Sequence, residues 1–246
     1  MACFGRPAKE KIVEKIVEKT VEVEKPEELI ACVASHGVPD WDKWYEEYQK
    51  MTSGTDPTSN FHIPLGVKIT FLGCSTDAEG KQRTHVIHVL PKKNKELCQK
   101  ILDFNAPPFV GGPDFIKNGI VIPPCNAAYY EITDVNFAAM FRKEHMMGTF
   151  SHGIKEYKEW RAKYYGAQDM EIGGIDVKPM LVGSCDDGKK CFVVNAWPKA
   201  DDDKMKAMMD FDSEENPVQE YIKAGDIILP MEKEFVEWKA IDRHIR

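Results

Sequence analysis

The second part of this 246-residue chain repeats its first part. The tetrapeptide Ser-His-Gly-Val at 35–38 returns as Ser-His-Gly-Ile at 151–154, which is 116 residues later. Three more blocks match in the same order, at offsets of 110, 107 and 106: 67–73 with 177–183, 91–104 with 198–211, and 115–119 with 221–225. Deletions in the loops between two copies of one unit produce such shrinking offsets. The sequence therefore predicts a tandem duplication.

The two copies predict the same elements in the same order. Each begins with a short apolar strand that ends near glycine, at 28–38 and at roughly 148–154. A helix follows from about Asp40, with Trp41, Trp44, Tyr45 and Tyr48 at the spacing of one helical face. The remaining elements are a hairpin (66–73 and 83–90; 176–183 and 190–197), a second helix (93–104; 200–211), a strand (119–123; 225–229) and a tail strand (129–132; 235–238).

Each copy thus has the order β-α-β-β-α-β of a ferredoxin-like unit. Two such units in one chain resemble the dimeric α+β barrel superfamily, which includes cofactor-independent monooxygenases, small cyclases and haem-degrading enzymes. The resemblance implies an α+β fold of two tandem ferredoxin-like units packed as a pseudo-dimeric barrel, with an N-terminal helical arm. The predicted boundaries are an arm at 1–26, a first unit at 27–133, a linker helix at 134–147 and a second unit at 148–246.

The N-terminal arm is a low-complexity stretch in which charged and β-branched residues alternate with a period of four. In a helix its apolar residues form one stripe, Ile12, Val13, Ile16, Val17 and Val21. A short helix of β-branched residues needs a partner to be stable. The arm is therefore interpreted either as a solvated, partly helical leader or as a helix that docks to a protein partner; pairing as a strand is a further alternative.

Candidate chemistry lies on the helix-covered side of the predicted sheet. We expect the first and third strands to lie side by side and parallel, which brings His36 near His88 in the first copy and His152 near Asn195 in the second. The predicted pocket candidates and their aromatic walls are His36, His88, His152, Asn195, Trp44, Tyr48, Trp160 and Tyr164. An imidazole there can act as a general base, and an amide can hold an oxyanion. The alternative is structural: a histidine before glycine often fixes a turn through a backbone hydrogen bond.

Composition excludes several classes of protein. An excess of 40 acidic over 33 basic residues argues against general nucleic-acid binding, and the apolar runs are too short to span a membrane. Seven cysteines without a CxxC pair indicate reduced thiols, so we expect a soluble protein of the cytoplasm or another reducing compartment. No metal site and no cofactor is predicted, although a haem ligand among the histidines is an alternative that the superfamily allows.

Two functional hypotheses follow. The preferred one is a non-enzymatic scaffold or adaptor that docks to a larger assembly through the arm, because no strong catalytic motif is present. The alternative is a cofactor-independent enzyme, a monooxygenase or a cyclase/isomerase, that acts on a small aromatic or polyketide-like ligand at His36 and His88.

Overall fold

The computed structural model describes residues 27–55, 60–102, 115–164, 170–210, 216 and 218–243. The strands are β1 Leu29–Val38, β2 Ile69–Thr76, β3 Gln82–Pro91, β4 Ile122–Val135, β5 His145–Gly153, β6 Met170–Ile172, β7 Ile175–Cys185, β8 Lys190–Pro198 and β9 Ile228–Arg243. The helices are α1 Trp41–Thr52, α2 His62–Leu65, α3 Lys95–Leu102, α4 Tyr157–Tyr164, α5 Asp202–Met208 and α6 Val218–Ala224. The arm and its apolar stripe lie outside the described residues.

The strands form one large antiparallel sheet, so the α+β prediction is confirmed. Its order is β4-β1-β3-β2-β9-β5-β8-β7, with the short β6 beside β7. A further pairing of β4 with β7 joins the two ends of this series into a closed ring of eight strands. We call residues 29–135 the first half and residues 145–243 the second half.

Two predictions about the strands are wrong. The first and third strands of the first half, β1 and β3, are antiparallel, with Cys32 opposite His88 and His36 opposite Thr84. The tail strands are not separate elements either, since β4 and β9 each continue unbroken for 14 and 16 residues. Their length allows each to pair with its own half at one end and with the other half at the other end.

The predicted linker helix at 134–147 is also wrong. Strand β4 continues to Val135, turns follow, and β5 begins at His145. The reason is that Asp134, at the start of the predicted helix, pairs with Val182 of β7, and Val135 pairs with Leu181. Strand pairing with a distant part of the chain therefore overrides the local helical spacing.

Helix α1 forms as its sequence predicts. The Asp40 side chain accepts a hydrogen bond from the backbone N–H of Lys43 at 3.1 Å, which caps the helix. Its buried residues, Trp41, Trp44 and Tyr48, share one face at helical spacing. That face packs against the outer side of the first-half sheet together with Leu72 and Val86.

The core has two kinds of layer. One cluster joins residues of both halves across the inside of the ring, among them Ala31, Phe71, Met147, Phe192 and Trp238. Other clusters pack the helices against the outer face of each half. Alternate residues of a strand therefore serve different layers, and β1 contributes Ala31 to the inner cluster but Cys32 to an outer one.

Glycines lie at both places where the halves join. An added Cβ on Gly73, in β2, would lie 2.7 Å from Val236 Cγ2 of β9, and one on Gly183, in β7, would overlap the carbonyl oxygen of Glu131 in β4. Each junction also shifts register beside its glycine. We call these two junctions the seams. At Gly183 the close approach of the β4 backbone requires a residue without a side chain, whereas at Gly73 the nearest atoms are side chains.

Candidate active site

A cavity of about 110 Å³ lies between the outer face of the first-half sheet and its helices. Four of the predicted pocket residues line it together: His36, His88, Trp44 and Tyr48. The rest of its wall is mostly apolar and includes Ala34 and Phe61. Four of the residues predicted from the sequence therefore meet at one cavity.

Strand register brings the two histidines to this face. Cys32 lies opposite His88, and His36 is four residues further along the same strand. Residues an even number apart on a strand share a face, so both imidazoles project towards α1. The expected parallel arrangement was wrong, but the antiparallel register still places both rings at the cavity.

His36 is held as a neutral imidazole with a defined tautomer. Its Nδ1 lies 3.0 Å from the carbonyl oxygen of Gly37, and a carbonyl can only accept, so Nδ1 carries the proton and donates. The ring makes an edge contact with Trp44 at a centroid distance of 5.7 Å. Burial lowers the pKa of His36 to about 4, with a smaller contribution from the positive charge of Arg83. At neutral pH the ring is therefore unprotonated, and Nε2 carries a lone pair.

His88 belongs to a hydrogen-bonded set of side chains that also includes Thr70, Tyr48 and His62. Of these, only His88 and Tyr48 are among the pocket residues predicted from the sequence. Its Nδ1 lies 3.0 Å from the hydroxyl of Thr70, and the hydroxyl of Tyr48 lies 3.1 Å from Nε2 of His62. The rings of His62 and His88 contact at a centroid distance of 5.0 Å. Burial raises the pKa of Tyr48, so its phenol stays protonated.

His62 is the residue that sequence reasoning missed. Its side chain is only 2% exposed, so the ring is buried inside the protein. The Asn60 side chain accepts a hydrogen bond from the His62 backbone N–H at 3.0 Å and so fixes the start of α2. An Asn two residues before a histidine indicates a turn, but nothing in that local signal shows that the ring points inward.

The second half repeats the histidine arrangement. His152 Nδ1 donates to the carbonyl oxygen of Gly153 at 2.9 Å, and its ring makes an edge contact with Trp160 at 5.8 Å. Burial lowers the pKa of His152 as well. Asn195 pairs with Gly148 across β8 and β5, and His88 pairs with Cys32 across β3 and β1. Asn195 therefore holds the position in the second half that His88 holds in the first. The side chain of Tyr164 lies outside what the structure describes.

The corresponding space in the second half is occupied by aromatic rings. Phe150 stands where the first half has Ala34, and Trp197 stands where it has Leu90. These two rings contact each other at 6.1 Å and belong to the packed outer cluster of the second half. The Trp197 ring lies directly over Gly148, where an added Cβ would be 2.5 Å from it. The two halves thus differ in the side chains that pack beside their histidines.

The described residues contain no group of three or more His, Cys, Asp and Glu side chains arranged to hold a metal ion. None of the helices in the described ranges is long and apolar enough to cross a membrane.

Comparison with solved structures identifies the fold. A crystal structure described as a "putative monooxygenase" from Fusobacterium nucleatum subsp. nucleatum matches with a TM-score of 0.54 at 11% identity, covering 89% of this chain and 96% of that chain. A protein of the same description from Lactobacillus acidophilus matches with a TM-score of 0.48 at 12% identity, covering 88% and 97%. An anthrone oxidase-like protein matches with a TM-score of 0.45 at 10% identity, covering 89% and 94%. No protein-family model and no curated protein matches the sequence.

The Fusobacterium structure corrects the preferred hypothesis. The prediction of a non-enzymatic scaffold is wrong, because the Fusobacterium structure that shares this fold along nearly its whole length is described as an enzyme. The arm on which that hypothesis depended lies outside the described residues. The alternative hypothesis, a small-molecule enzyme, is the one that these findings favour.

Proposed function

We propose that this protein is a cofactor-independent enzyme that abstracts a proton from a small aromatic substrate in the first-half cavity and oxidises the substrate with molecular oxygen. The observation that carries the proposal is His36, a neutral imidazole at the wall of an apolar cavity, with Nδ1 fixed by the Gly37 carbonyl. The fold likeness to a protein described as a monooxygenase supports the choice of oxygen as co-substrate.

The proposed arrangement behind this site is a fused pseudo-dimer of two ferredoxin-like units. In support, the order β4-β1-β3-β2 of the first half has its counterpart in β9-β5-β8-β7 of the second. The seams are equivalent under the same correspondence, since β2 meets β9 and β7 meets β4. One unit would then have kept its cavity, while the other filled it with Phe150 and Trp197.

The chemistry needs one base and a water-poor pocket. His36 Nε2 takes a proton from an activated methylene group of the substrate. The resulting carbanion reduces molecular oxygen: one oxygen atom forms a carbonyl on the substrate carbon, and the other leaves as water together with the two hydrogens of the methylene group. The aromatic walls, Trp44 and Tyr48, keep the carbanion away from bulk water and supply flat surfaces for an aromatic ring.

Cavity size limits the substrate. An engineered protein cavity of about 150 Å³ holds benzene, and this cavity measures about 110 Å³. We therefore propose a substrate whose buried part is no larger than a single ring. The cyclase or isomerase alternative shares the first proton transfer and differs in consuming no oxygen.

The test measures both steps on the full chain. Oxygen uptake is recorded with an electrode, and exchange of substrate C–H for deuterium is recorded by NMR in deuterated water, using single-ring aryl ketones and phenols as probes. We expect His36→Gln to slow exchange about 10²–10⁴-fold, the usual contribution of a general base. The matched control is His152→Gln, which removes the same type of ring from the filled half and leaves both rates unchanged.

Three outcomes are informative. Loss of exchange and oxygen uptake in His36→Gln alone supports the proposal. Exchange that depends on His36 without oxygen uptake favours an isomerase instead. Equal rates in the wild type and in His36→Gln overturn the assignment of His36 as base.

A further inference from the structure

A second set of chemically active side chains lies on the opposite face of the sheet. Ser75 pairs with Arg83 and Gly73 pairs with His85, so Ser75 and His85 share a face of the β2–β3 ladder. His85 is three residues from His88, and alternation along β3 turns it away from the first-half cavity. Its side chain therefore points to the inside of the ring and contacts β9 of the second half.

Ser75, His85 and Glu234 form a row of three side chains in contact. Ser75 Oγ lies 2.8 Å from His85 Nε2, and His85 Nδ1 lies 2.8 Å from Glu234 Oε2. The ring of His85 is 3% exposed, whereas the Glu234 side chain is half exposed and Ser75 is half-buried. The carboxylate lies off the axis of the ring N–H, so the second contact is a close polar contact and not a linear hydrogen bond.

The direction of proton transfer follows from the carboxylate. The contact with His85 lowers the pKa of Glu234, so this carboxylate is ionised at neutral pH and only accepts. His85 must then present its N–H at Nδ1, which leaves Nε2 as the acceptor for the hydroxyl proton of Ser75. This is the order of nucleophile, base and orienting acid that activates serine in acyl transfer.

A cavity opens at Glu234, the carboxylate end of this set, and a cationic side chain is paired across the strands with Ser75. A cavity of about 460 Å³ opens at this end of the ring and is lined by Glu234, Ser35, Asn126 and Tyr130, among others. Arg83, the direct cross-strand partner of Ser75, donates to Ser35 Oγ at 3.1 Å. Side chains of directly paired residues lie about 5 Å apart at Cβ, so Arg83 adds a positive charge to the same face of the ladder as Ser75.

We propose that Ser75, His85 and Glu234 form a nucleophilic site that cleaves small, activated esters at this end of the ring. Ser75 Oγ forms a bond to the acyl carbon and loses its proton to His85 Nε2. The bond from that carbon to the leaving alcohol breaks, and His85 returns the proton to the alcohol. Water then attacks the acyl-serine by the same route and releases the acid.

The chain carries this arrangement only once in its described residues, and it needs both halves. At the offsets of the repeat, the counterparts of Ser75 and His85 are Cys185 and Phe192, so the second half lacks the base. Glu234, in contrast, comes from β9 of the second half. The site therefore exists only where strands of the two halves meet inside the ring.

The test uses the full chain, a fluorophosphonate probe and p-nitrophenyl acetate. We expect one equivalent of probe on Ser75 by peptide mass mapping, and no labelling in Ser75→Ala. Hydrolysis should fall about 10²–10⁴-fold in His85→Gln, the range for loss of a general base, and should also fall in Glu234→Gln. The matched control is Ser151→Ala, because Ser151 Oγ already donates to the Cys191 carbonyl at 2.8 Å and has no imidazole partner.

Thermal unfolding of each variant comes first, and Ser75→Ala, which removes a single hydroxyl, is the variant on which the result depends. Labelling at Cys185 or Lys190, or equal labelling of the wild type and Ser75→Ala, overturns the proposal. The oxygen and exchange assays at His36 measure different chemistry on the other face of the sheet, so the two proposals fail or hold separately.

Discussion

His36 and His152 occupy corresponding places at the ends of β1 and β5, and each donates from Nδ1 to the carbonyl oxygen of the glycine that follows it, at 3.0 and 2.9 Å. Each ring also meets the edge of a tryptophan on the next helix, Trp44 or Trp160. In both halves, the histidine of the repeated Ser-His-Gly thus makes the backbone hydrogen bond that the structural alternative predicts. At His36 the anchored ring also lines a cavity, together with Trp44.

The burial of His36 makes stability depend on pH. The pKa of His36 falls from an ordinary value near 6.5 to about 4 in the folded protein. Between these values the unfolded chain binds a proton that the folded chain does not, so the free energy of unfolding decreases as the pH falls from about 6.5 to 4. A shift of this size corresponds to about 3 kcal/mol.

Urea unfolding of the wild type and of His36→Gln at pH 7.5 and pH 4.5 checks this. The wild type should lose about 2–3 kcal/mol more than the variant between the two conditions. His152→Gln should likewise lose less free energy of unfolding than the wild type between the two pH values, since burial also lowers the pKa of His152. An identical pH dependence in His36→Gln and the wild type would contradict the assigned burial of a neutral ring.

Exchanging one residue between the halves should exchange their cavities. Ala34→Phe introduces the residue found at 150 and is expected to fill the first-half cavity, which abolishes binding of benzene or phenol. Ligand binding is followed by NMR chemical shifts or calorimetry. If Ala34→Phe binds benzene or phenol as well as the wild type does, the ligand does not bind in the first-half cavity.

The reciprocal change is Phe150→Ala. It removes a buried ring from the packed outer cluster of the second half. Thermal or urea unfolding should show a loss of about 3–5 kcal/mol. A loss below about 1 kcal/mol would mean that the neighbouring rings collapse into the space.

The two seam glycines should differ in their tolerance of alanine. In Gly183→Ala the new Cβ meets a backbone carbonyl of Glu131, which cannot move without opening the β4–β7 pairing. In Gly73→Ala it meets the side chains of Val236 and Met147, which can change rotamer. We expect a cost of about 1–3 kcal/mol at Gly183, the range for overpacking, and a smaller one at Gly73. Urea unfolding of both variants measures the two losses of stability. A larger loss in Gly73→Ala than in Gly183→Ala would contradict the prediction.

Part of this fold could be predicted because its signals are local. The aromatic face of α1, its Asp40 cap and the prolines that end β3 and β8 all appear in the sequence at their expected spacing. The same locality brought His36, His88, Trp44 and Tyr48 to one cavity. These residues lie on two neighbouring strands, β1 and β3, and on helix α1, which packs against them. The predicted order of the elements was therefore enough to bring them together.

The rest depends on contacts between distant segments. The 134–147 stretch has helical spacing, but pairing of Asp134 and Val135 with β7 decides its structure. The inward position of His62 depends on Tyr48, 14 residues earlier. Likewise, Ser75 and His85 meet Glu234 only because the sheet closes on itself, which no local pattern indicates.

The seams also have a thermodynamic consequence. Where two separate chains close such a ring, mass action makes the closed form weaker on dilution. Here β2 and β7 find their partners, β9 and β4, within one polypeptide, so the effective concentration of each partner is set by the connecting chain and not by the amount of protein present. The ring, and the Ser75–His85–Glu234 contact inside it, therefore forms to the same extent at nanomolar and millimolar protein.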